Sequence, residues 1–224
     1  TQHMHFSCCK DTVEDRGTVQ YLQDCAAEAG FDTRFVYVED IGLATDDKDL
    51  WFTDLDDYTL DYCFKLYPWE FMLRESFAEY LVTAQTQWLE QMWKAILSNK
   101  ALLTALWKKF PNHPILLPAF FSDEVAAGSV TLESGQSWVH KPIFSREGAN
   151  IKITQDGDTL SETDGPYGEE GHIIQAFTPL PKFEQNYTLI GSWLVNDKAA
   201  GISVREDKSP ITQDLSRYLP HIIL

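Results

Sequence analysis

A lysine followed by a short loop rich in hydrogen-bond donors is the strongest chemical feature of the sequence. Residues 141–150 read KPIFSREGAN, so Lys141 lies in a predicted strand and the loop after it carries Ser145, Arg146 and Gly148. An ammonium group meets phosphate charge directly, and a glycine lets backbone N–H groups approach the oxygens without an intervening Cβ atom. The order differs from a P-loop, because GxxxxGK[ST] is absent. The segment predicts a phosphate site, with a surface turn of solvated charges as the alternative.

Three further features would accompany such a site. Lys100 follows Asn99 where a long helical pattern is interrupted, and Arg205 ends a predicted strand at 201–204. The apolar strand 172–177 runs into a proline-stiffened connection, which is typical of a hinge whose backbone can read an adenine edge. Each of these features alone indicates no more than the end of a helix or a strand.

The elements that must position these residues differ between the two halves of the chain. In the first half, residues 3–8 and 33–38 are predicted strands, and a capping box of Thr12 and Asp15 opens the helix between them, which Gly30 ends. The buried stripe of this helix is predicted from residues that recur every four positions: Val13, Gly17, Tyr21 and Cys25. Strand, helix and strand form a βαβ unit, which implies a parallel sheet.

The middle of the chain combines an acidic stretch with a long helical pattern. Residues 46–57 are rich in aspartate and are predicted to form a solvated loop, and residues 60–66 to form a third strand. Residues 69–110 are predicted to be helical, ending before Pro111. The buried face of this region is predicted from Trp88, Met92, Trp93 and Ile96.

After Pro118 the pattern changes to short strands separated by turn signals such as Asp156-Gly157 and Asn196-Asp197. The predicted strands are 138–141, 150–154, 172–177, 188–195 and 200–204. We therefore expect an α+β fold in which a βαβ-type subdomain at 1–99 is followed by hairpin-rich antiparallel lobes at 100–224.

Composition limits the classes of partner. Thirty-four acidic against eighteen basic residues give a formal net charge of -16, which disfavours nucleic acid and membrane and would favour a cationic substrate such as a polyamine. There is no apolar run of membrane-spanning length and no signal-peptide pattern. The four cysteines match neither a zinc site nor a disulfide framework, so a reducing cytoplasm is expected. Because the chain starts at Thr1 and soon enters a strand, we expect that a segment N-terminal to it was removed.

Longer strings of the sequence resemble one enzyme family. These strings are KDTVEDRGTVQYLQDC, FKLYPWEFMLRE, SNKALL, FPNHPILLPAFF, KPIFSREGANI, GPYGEEG and GSWLVNDKAAGISVREDKSPITQDLSRYLPHI. They resemble the C-terminal portion of glutathionylspermidine synthase, and in particular the stand-alone acid–amine ligase relatives without an amidase domain. The resemblance extends over nearly all 224 residues.

The resemblance implies an ATP-grasp fold, in which ATP lies between two α+β lobes. Residues 1–99 would be a pre-ATP-grasp-like subdomain with connecting helices, and residues 100–224 the nucleotide-binding lobes. It implies that Lys100 and Lys141 are the two lysines that contact the nucleotide phosphates and that Gly148 is the glycine of the phosphate loop. Gln175 matches the hinge residue beside adenine, and Pro210 falls where close relatives have a leucine against the nucleotide.

The resemblance also implies the reaction. ATP activates a peptide carboxylate as an acyl phosphate, and an amine then displaces phosphate; Arg146 and Arg205 resemble the arginines that hold the carboxylate and the developing charge. The magnesium ligands of the family, an Arg-x-Asp and a Glu-x-Asn segment, are expected N-terminal to this chain. No metal ligand is assigned here, since a charged surface is the more typical role of the nearby acidic residues Glu169, Glu170, Glu206, Asp207 and Asp214.

Two other functions stay open at this point. The chain could be an inert nucleotide-binding or structural module that lacks the metal ligands. Alternatively, Cys8 or Cys9 could be a nucleophile like that of the amidase half of the family, although no histidine partner is evident in the sequence.

Overall fold

The computed structural model describes residues 3–11, 13–45 and 49–222. The chain divides into two compact units, Thr1–Ile96 and Leu97–Leu224. The sequence places the boundary between residues 99 and 100, and the assignment of the two parts as pre-ATP-grasp-like and ATP-grasp portions stays a prediction.

The first unit combines a parallel sheet with a long helix. Its elements are β1 (Met4–Cys8), α1 (Val13–Glu28), β2 (Thr33–Phe35), β3 (Gly42–Thr45), β4 (Leu50–Thr53), β5 (Tyr62–Leu66), α2 (Trp69–Met72) and β6 (Gln87–Leu89). The parallel strands follow the order β2-β1-β5-β6, while β3 and β4 form a separate antiparallel hairpin. The predicted βαβ unit is therefore confirmed, and the β3–β4 hairpin was not predicted.

Helix α1 packs on the sheet through a different face from the one predicted. The predicted stripe is exposed at each position: Val13, Gly17, Tyr21 and Cys25. Val19 is buried instead and clusters with Phe6, and Ala26 packs against the same cluster. Arg16, one turn before Val19, lies over the ring of Phe35 with its guanidinium carbon 3.8 Å from the ring centroid. The prediction was wrong because an equal spacing of four drifts around the helix, whereas spacings of three and four keep one face on the sheet.

The end of α1 is as predicted, whereas its start lies outside the described residues. Gly30 has φ +93°, and its N–H donates to the carbonyl of Ala27 while the N–H of Phe31 donates to that of Ala26. This pair of bonds is a Schellman cap. Thr12 of the predicted capping box is not among the described residues.

A buried polar network joins β1 and β2 to the chain after β4. Nε2 of His5 and Nη1 of Arg34 each lie 3.2 Å from Oδ2 of Asp54. The N–H groups of Asp56 and Tyr58 donate to the other oxygen of Asp54, at 3.0 and 2.9 Å. The prediction of a solvated acidic loop was therefore wrong for Asp54, because its partners are distant in sequence. Residues 46–48 of that loop lie outside the described part of the chain.

Burial lowers the pKa of His5 from its usual value, against the opposing hydrogen bond and charge of Asp54. Burial alone would raise the pKa of Asp54, but hydrogen bonds from Tyr58 N–H and His5 lower it overall. The unfolded chain thus holds the His5 proton more tightly than the folded chain below a pH of about 6.5, so stability falls as the pH drops through this region.

We expect the His5→Gln variant to lose less stability than the wild type between pH 7.5 and pH 5.5, because glutamine places an amide near Asp54 without titrating. Thermal unfolding followed by circular dichroism at both pH values measures the difference. The exposed His113→Gln variant is the matched control and should keep the wild-type pH dependence. Equal pH dependence of His5→Gln and wild type would contradict this expectation.

The region 69–110 is not the continuous helical stretch that was predicted. It contains α2, β6, α3 (Ala95–Ser98) and α4 (Ala101–Lys109), with single turns of 3-10 helix at Ala78–Tyr80 and Met92–Lys94. Trp88 lies on β6 and is buried, whereas Trp93 and Ile96 are 58% and 59% exposed. The prediction of one buried face was wrong, because Trp88 belongs to a strand and Trp93 to an exposed turn of 3-10 helix.

The second unit is built from antiparallel sheets. After α4 its elements are β7 (Ala119–Phe121), α5 (Ser122–Ala126), β8 (Ser137–Pro142), β9 (Lys152–Gln155), β10 (Asp158–Glu162), β11 (His172–Ala176), β12 (Lys182–Phe183), β13 (Asn186–Val195), β14 (Lys198–Asp207) and β15 (Arg217–Leu219). The strand orders are β10-β9-β8-β11-β7 and β12-β13-β14-β15. The turns at Asp156-Gly157 and Asn196-Asp197 have positive φ at both residues, which confirms the predicted hairpins.

Candidate functional site

A cavity of about 350 Å³ lies in the second unit, beside β8 and β11. Its polar lining includes Lys100, Lys141, Ser145, Arg146, Glu147 and Gln175. Its apolar lining includes Val139, Ile151, Ile153, Phe177 and Ile211. Three cationic side chains in one cavity of a chain with a net charge of -16 favour an anionic ligand at this place.

The pairing of β8 with β11 places the central residues of the cavity on one face of the sheet. Lys141 pairs with Ile173 and Val139 pairs with Gln175. Because alternate residues of a strand share a face, Val139 and Lys141 lie on the same side as Gln175. Ile153 on β9 pairs with Val139 and extends this face.

Lys141 brings a positive charge into a poorly hydrated part of the cavity. Its Nζ donates to Oε1 of Gln175 at 2.7 Å, and Gln175 itself is 7% exposed. Burial lowers the pKa of Lys141 from its usual value. Across the described residues no carboxylate forms an ion pair with Lys141, so an anionic ligand would relieve the cost of its burial.

Lys100 is tied to the loop that follows β8. Its N–H donates to the carbonyl of Ile143 at 2.9 Å. Its Nζ donates to the carbonyl and to Oγ of Ser145, at 2.7 and 2.9 Å. The two lysines, 41 positions apart in the printed sequence, therefore line the same cavity.

The loop 144–150 has a backbone that few residues adopt. Glu147, Gly148 and Asn150 have φ values of +53°, +70° and +53°. A Cβ atom at Gly148 would overlap the carbonyl oxygen of Thr212 and would lie 3.1 Å from Cγ2 of Ile211. Gly148 is required both by its backbone conformation and by its close packing on the 211–212 segment.

The apolar side of the cavity is a small core of its own. Val139, Ile151, Ile153 and Ile211 are buried together, and Phe177 packs against them. An apolar wall next to converging cations is the arrangement expected for a ligand with a flat apolar part and an anionic part. A nucleotide has both parts.

Arg205 is the one predicted site residue outside the cavity lining. It lies on β14, and its Nη2 donates to the carbonyls of Gln213 and Asp214, at 2.6 and 3.2 Å. The guanidinium carbon lies 4.8 Å from the centroid of the Tyr218 ring. In this structure Arg205 therefore fixes the turn before β15.

The described residues contain no group of three or more His, Cys, Asp or Glu side chains arranged to hold a metal ion. Asp207 accepts a hydrogen bond from Ser209 N–H and one from Ser216 Oγ.

No described helix is long and apolar enough to cross a membrane.

The family model for the glutathionylspermidine synthase preATP-grasp domain matches residues 1–224, the whole chain. The chain belongs to this family. The resemblance noted in the sequence is thereby confirmed.

Curated relatives of this family member carry ligase or synthetase names. A protein of Haemophilus influenzae named "Putative acid--amine ligase" is 40% identical over 97% of this chain and 55% of its own length. Trypanothione synthetase of Crithidia fasciculata is 38% identical over 56% of this chain and 18% of its own length. The chain thus spans about half the length of the Haemophilus relative.

A solved structure confirms the predicted ATP-grasp fold of this family member. The ATP-grasp ligase PsnB, complexed with a phosphomimetic variant of its minimal precursor, Mg and ADP, superposes with a TM-score of 0.51 at 11% identity. The superposition covers 92% of this chain and 73% of that chain. At this identity the likeness concerns the fold alone.

The structure brings together most of the residues that the family resemblance selects. The predicted residues that line the cavity are Lys100, Lys141, Arg146, Gly148, Gln175 and Pro210. Their individual roles stay predictions. Ser145 was named as part of the donor-rich loop but was not selected as a site residue. Thr163 was missed, because its position against this loop follows from the fold alone.

The alternative of a cysteine nucleophile has little support in the first unit. Cys8 is buried and burial raises its pKa, while burial and then the charge of Glu39 raise the pKa of Cys9 to about 11. At neutral pH both remain thiols, and the thiolate is the nucleophilic form.

Proposed function

We propose that this chain forms the nucleotide-binding part of an ATP-dependent ligase that joins a peptide carboxylate, such as that of glutathione, to an amine such as a polyamine. The observation that carries the proposal is the partly buried ammonium group of Lys141, which shares a cavity with Lys100, Arg146 and an apolar wall. Family membership and the ligase names of the relatives support it. The four free cysteines agree with action in a reducing cytoplasm.

The cavity residues fit ATP in both charge and polarity. Lys100 and Lys141 would contact the phosphate oxygens, and the apolar wall that includes Val139 and Ile153 would receive the base. Gln175 would hold the ammonium group of Lys141 in place, as it does here. When bound, ATP supplies the phosphoryl group that activates the carboxylate.

The chain would act on the reaction by positioning and charge neutralisation. Cationic groups that are already desolvated stabilise developing negative charge more strongly than groups in water. Arg146, on the cavity loop, and Arg205 are the candidates for holding the carboxylate. Arg205 would have to exchange its bonds to the carbonyls of Gln213 and Asp214 for a carboxylate. We assign no magnesium ligand to the described residues and expect these ligands in a segment N-terminal to this chain.

Phosphate release separates the ligase from the binding-module alternative. We expect the 224-residue chain alone to release no phosphate from ATP in the presence of glutathione and polyamines. A chimera, in which this chain replaces the matching half of the Haemophilus relative, should release phosphate only when magnesium, an acid and an amine are all present.

The control is the same chimera with Lys141→Met, which should be inactive. One outcome is a folded chimera that binds ATP but releases no phosphate with any tested pair of peptide carboxylate and amine. That result would favour the inert binding module. Release that needs neither acid nor amine would argue against ligation.

A further inference from the structure

The loop 144–150 is held from one side by the segment 163–167. Oγ1 of Thr163 lies 2.5 Å from the carbonyl oxygen of Gly148 and donates to it, and it accepts the N–H of Ile151 at 3.0 Å. The N–H of Thr163 donates to the carbonyl of Ile151 at 2.9 Å. Thr163 therefore makes one hydrogen bond to the loop itself and two to Ile151, the residue that follows the loop.

Asn150 adds a second connection between the two segments. Its N–H donates to the carbonyl of Asp164 at 3.3 Å, and its Oδ1 accepts the N–H of Tyr167 at 2.8 Å. A Cβ atom at Gly165 would lie 2.6 Å from Oδ1 of Asn150, so the two segments are in close contact.

This support matters because the loop backbone is unfavourable by itself. Two of its non-glycine residues, Glu147 and Asn150, have left-handed φ values, which persist only where surrounding contacts enforce them. The hydroxyl of Thr163 has a single proton, and it is closer to the carbonyl of Gly148 than to that of Ile151, 2.5 against 3.2 Å. The side chain of Thr163 thus pairs the carbonyl of Gly148 and the N–H of Ile151, which lie on either side of Ala149 and Asn150.

The same loop carries the polar groups of the cavity. Ala149 N–H donates to the carbonyl of Arg146 at 2.9 Å, which closes the turn that Thr163 holds at its end. Ser145, one residue before Arg146, accepts both hydrogen bonds of the Lys100 ammonium group that are described above. The placement of Lys100 and Arg146 therefore depends on how firmly this loop is held.

We propose that Thr163 is a positioning residue for phosphate binding: its hydroxyl fixes the loop 144–150 in the conformation that presents Ser145, Arg146 and Gly148 to the cavity. The inference rests on the proposed nucleotide site. Thr163 lies outside the cavity lining and acts only through the loop.

Three variants test this role. Thr163→Val keeps the shape of the side chain and removes the hydroxyl, and Thr163→Ser keeps the hydroxyl. Thr159→Val makes the same chemical change at an exposed position of β10 and is the matched control. Circular dichroism selects a temperature at which each variant is folded.

Calorimetry then compares ATP with adenosine, which lacks phosphate. We expect Thr163→Val to weaken ATP binding by about tenfold, the effect of leaving one hydrogen-bonding group unpaired, with adenosine binding unchanged. Thr163→Ser and Thr159→Val should bind both ligands like the wild type. Equal losses for ATP and adenosine, or a Thr163→Ser variant as weak as Thr163→Val, would overturn the positioning role.

Trypsin provides a readout that needs no ligand. Arg146 is exposed in the loop, and we expect cleavage after it to be faster in Thr163→Val than in the wild type and the two other variants. If the wild type binds no ATP, the proposed nucleotide site fails, and cleavage still reports whether Thr163 holds the loop. Unchanged cleavage in Thr163→Val would overturn that part of the inference.

Discussion

The Lys141→Met variant should bind ATP about a hundredfold or more weakly than the wild type while remaining folded. Methionine is similar in length and removes the charge that we assign to phosphate binding. Loss of one partner from a shielded, hydrogen-bonded charge pair typically costs about 3 kcal/mol of binding free energy, which is roughly a hundredfold in affinity. Removing a partly buried ammonium group also removes its desolvation cost, which offsets the loss of its bond to Gln175. We therefore expect a change in the free energy of unfolding within about 1 kcal/mol.

Lys152→Met is the matched control, since Lys152 lies on the neighbouring strand β9 and pairs with Glu162 outside the cavity. Calorimetric titration measures ATP affinity, and urea denaturation measures stability. Wild-type affinity in Lys141→Met would contradict the assignment. Loss of folding in this variant would instead show that the lysine is structural.

The lowered pKa of Lys141 adds a pH dependence to the same comparison. The unfolded chain binds this proton more tightly than the folded chain, so stability should rise with pH between the folded pKa and about 10.4. ATP affinity should change in the opposite direction, because phosphate favours the charged ammonium group. Both trends should be absent from Lys141→Met.

The second large effect is expected for Gly148→Ala, which should destabilise the second unit and abolish ATP binding. Gly148 has φ +70°, and an added Cβ atom would overlap the carbonyl oxygen of Thr212. The left-handed backbone alone costs a residue with a side chain about 1–3 kcal/mol, and the overlap adds to this cost.

Gly157→Ala separates the two causes. Gly157 has φ +95°, but a Cβ atom there would meet no atom within 4 Å, so only the backbone strain applies. Urea denaturation should show a clearly larger loss for Gly148→Ala than for Gly157→Ala. Equal losses would mean that the loop 144–150 moves away from the 211–212 segment at little cost.

Local patterns in the sequence predicted several elements in each of the two units. The βαβ unit and the hairpin at Asn196-Asp197 follow from alternation and turn residues that are close together in the chain. Lys141 and Gln175 were selected separately, and pairing of β8 with β11 brings them to 2.7 Å. Lys141 was selected from its own segment, whereas Gln175 was selected from the family resemblance, and the pairing that joins their strands was not predicted.

Features that depend on distant partners were not predictable in this way. Asp54 was predicted to lie in a solvated acidic loop, yet it is buried against His5, 49 positions away. The contact of Gly148 with Thr212 and the support from Thr163 likewise arise only when separate segments pack together. Arg205 was selected for chemistry, whereas the structure shows its bonds to the turn before β15.

The most direct test of the nucleotide site is calorimetric titration of the wild-type 224-residue chain with ATP, with and without magnesium. We predict saturable one-to-one binding whose affinity does not rise when magnesium is added, because lysine and arginine alone neutralise the phosphates here. No heat of binding at millimolar ATP from a folded chain would contradict the nucleotide site itself. Tight binding that requires magnesium would show that acidic residues of this chain, such as Glu169 or Asp214, complete a metal site.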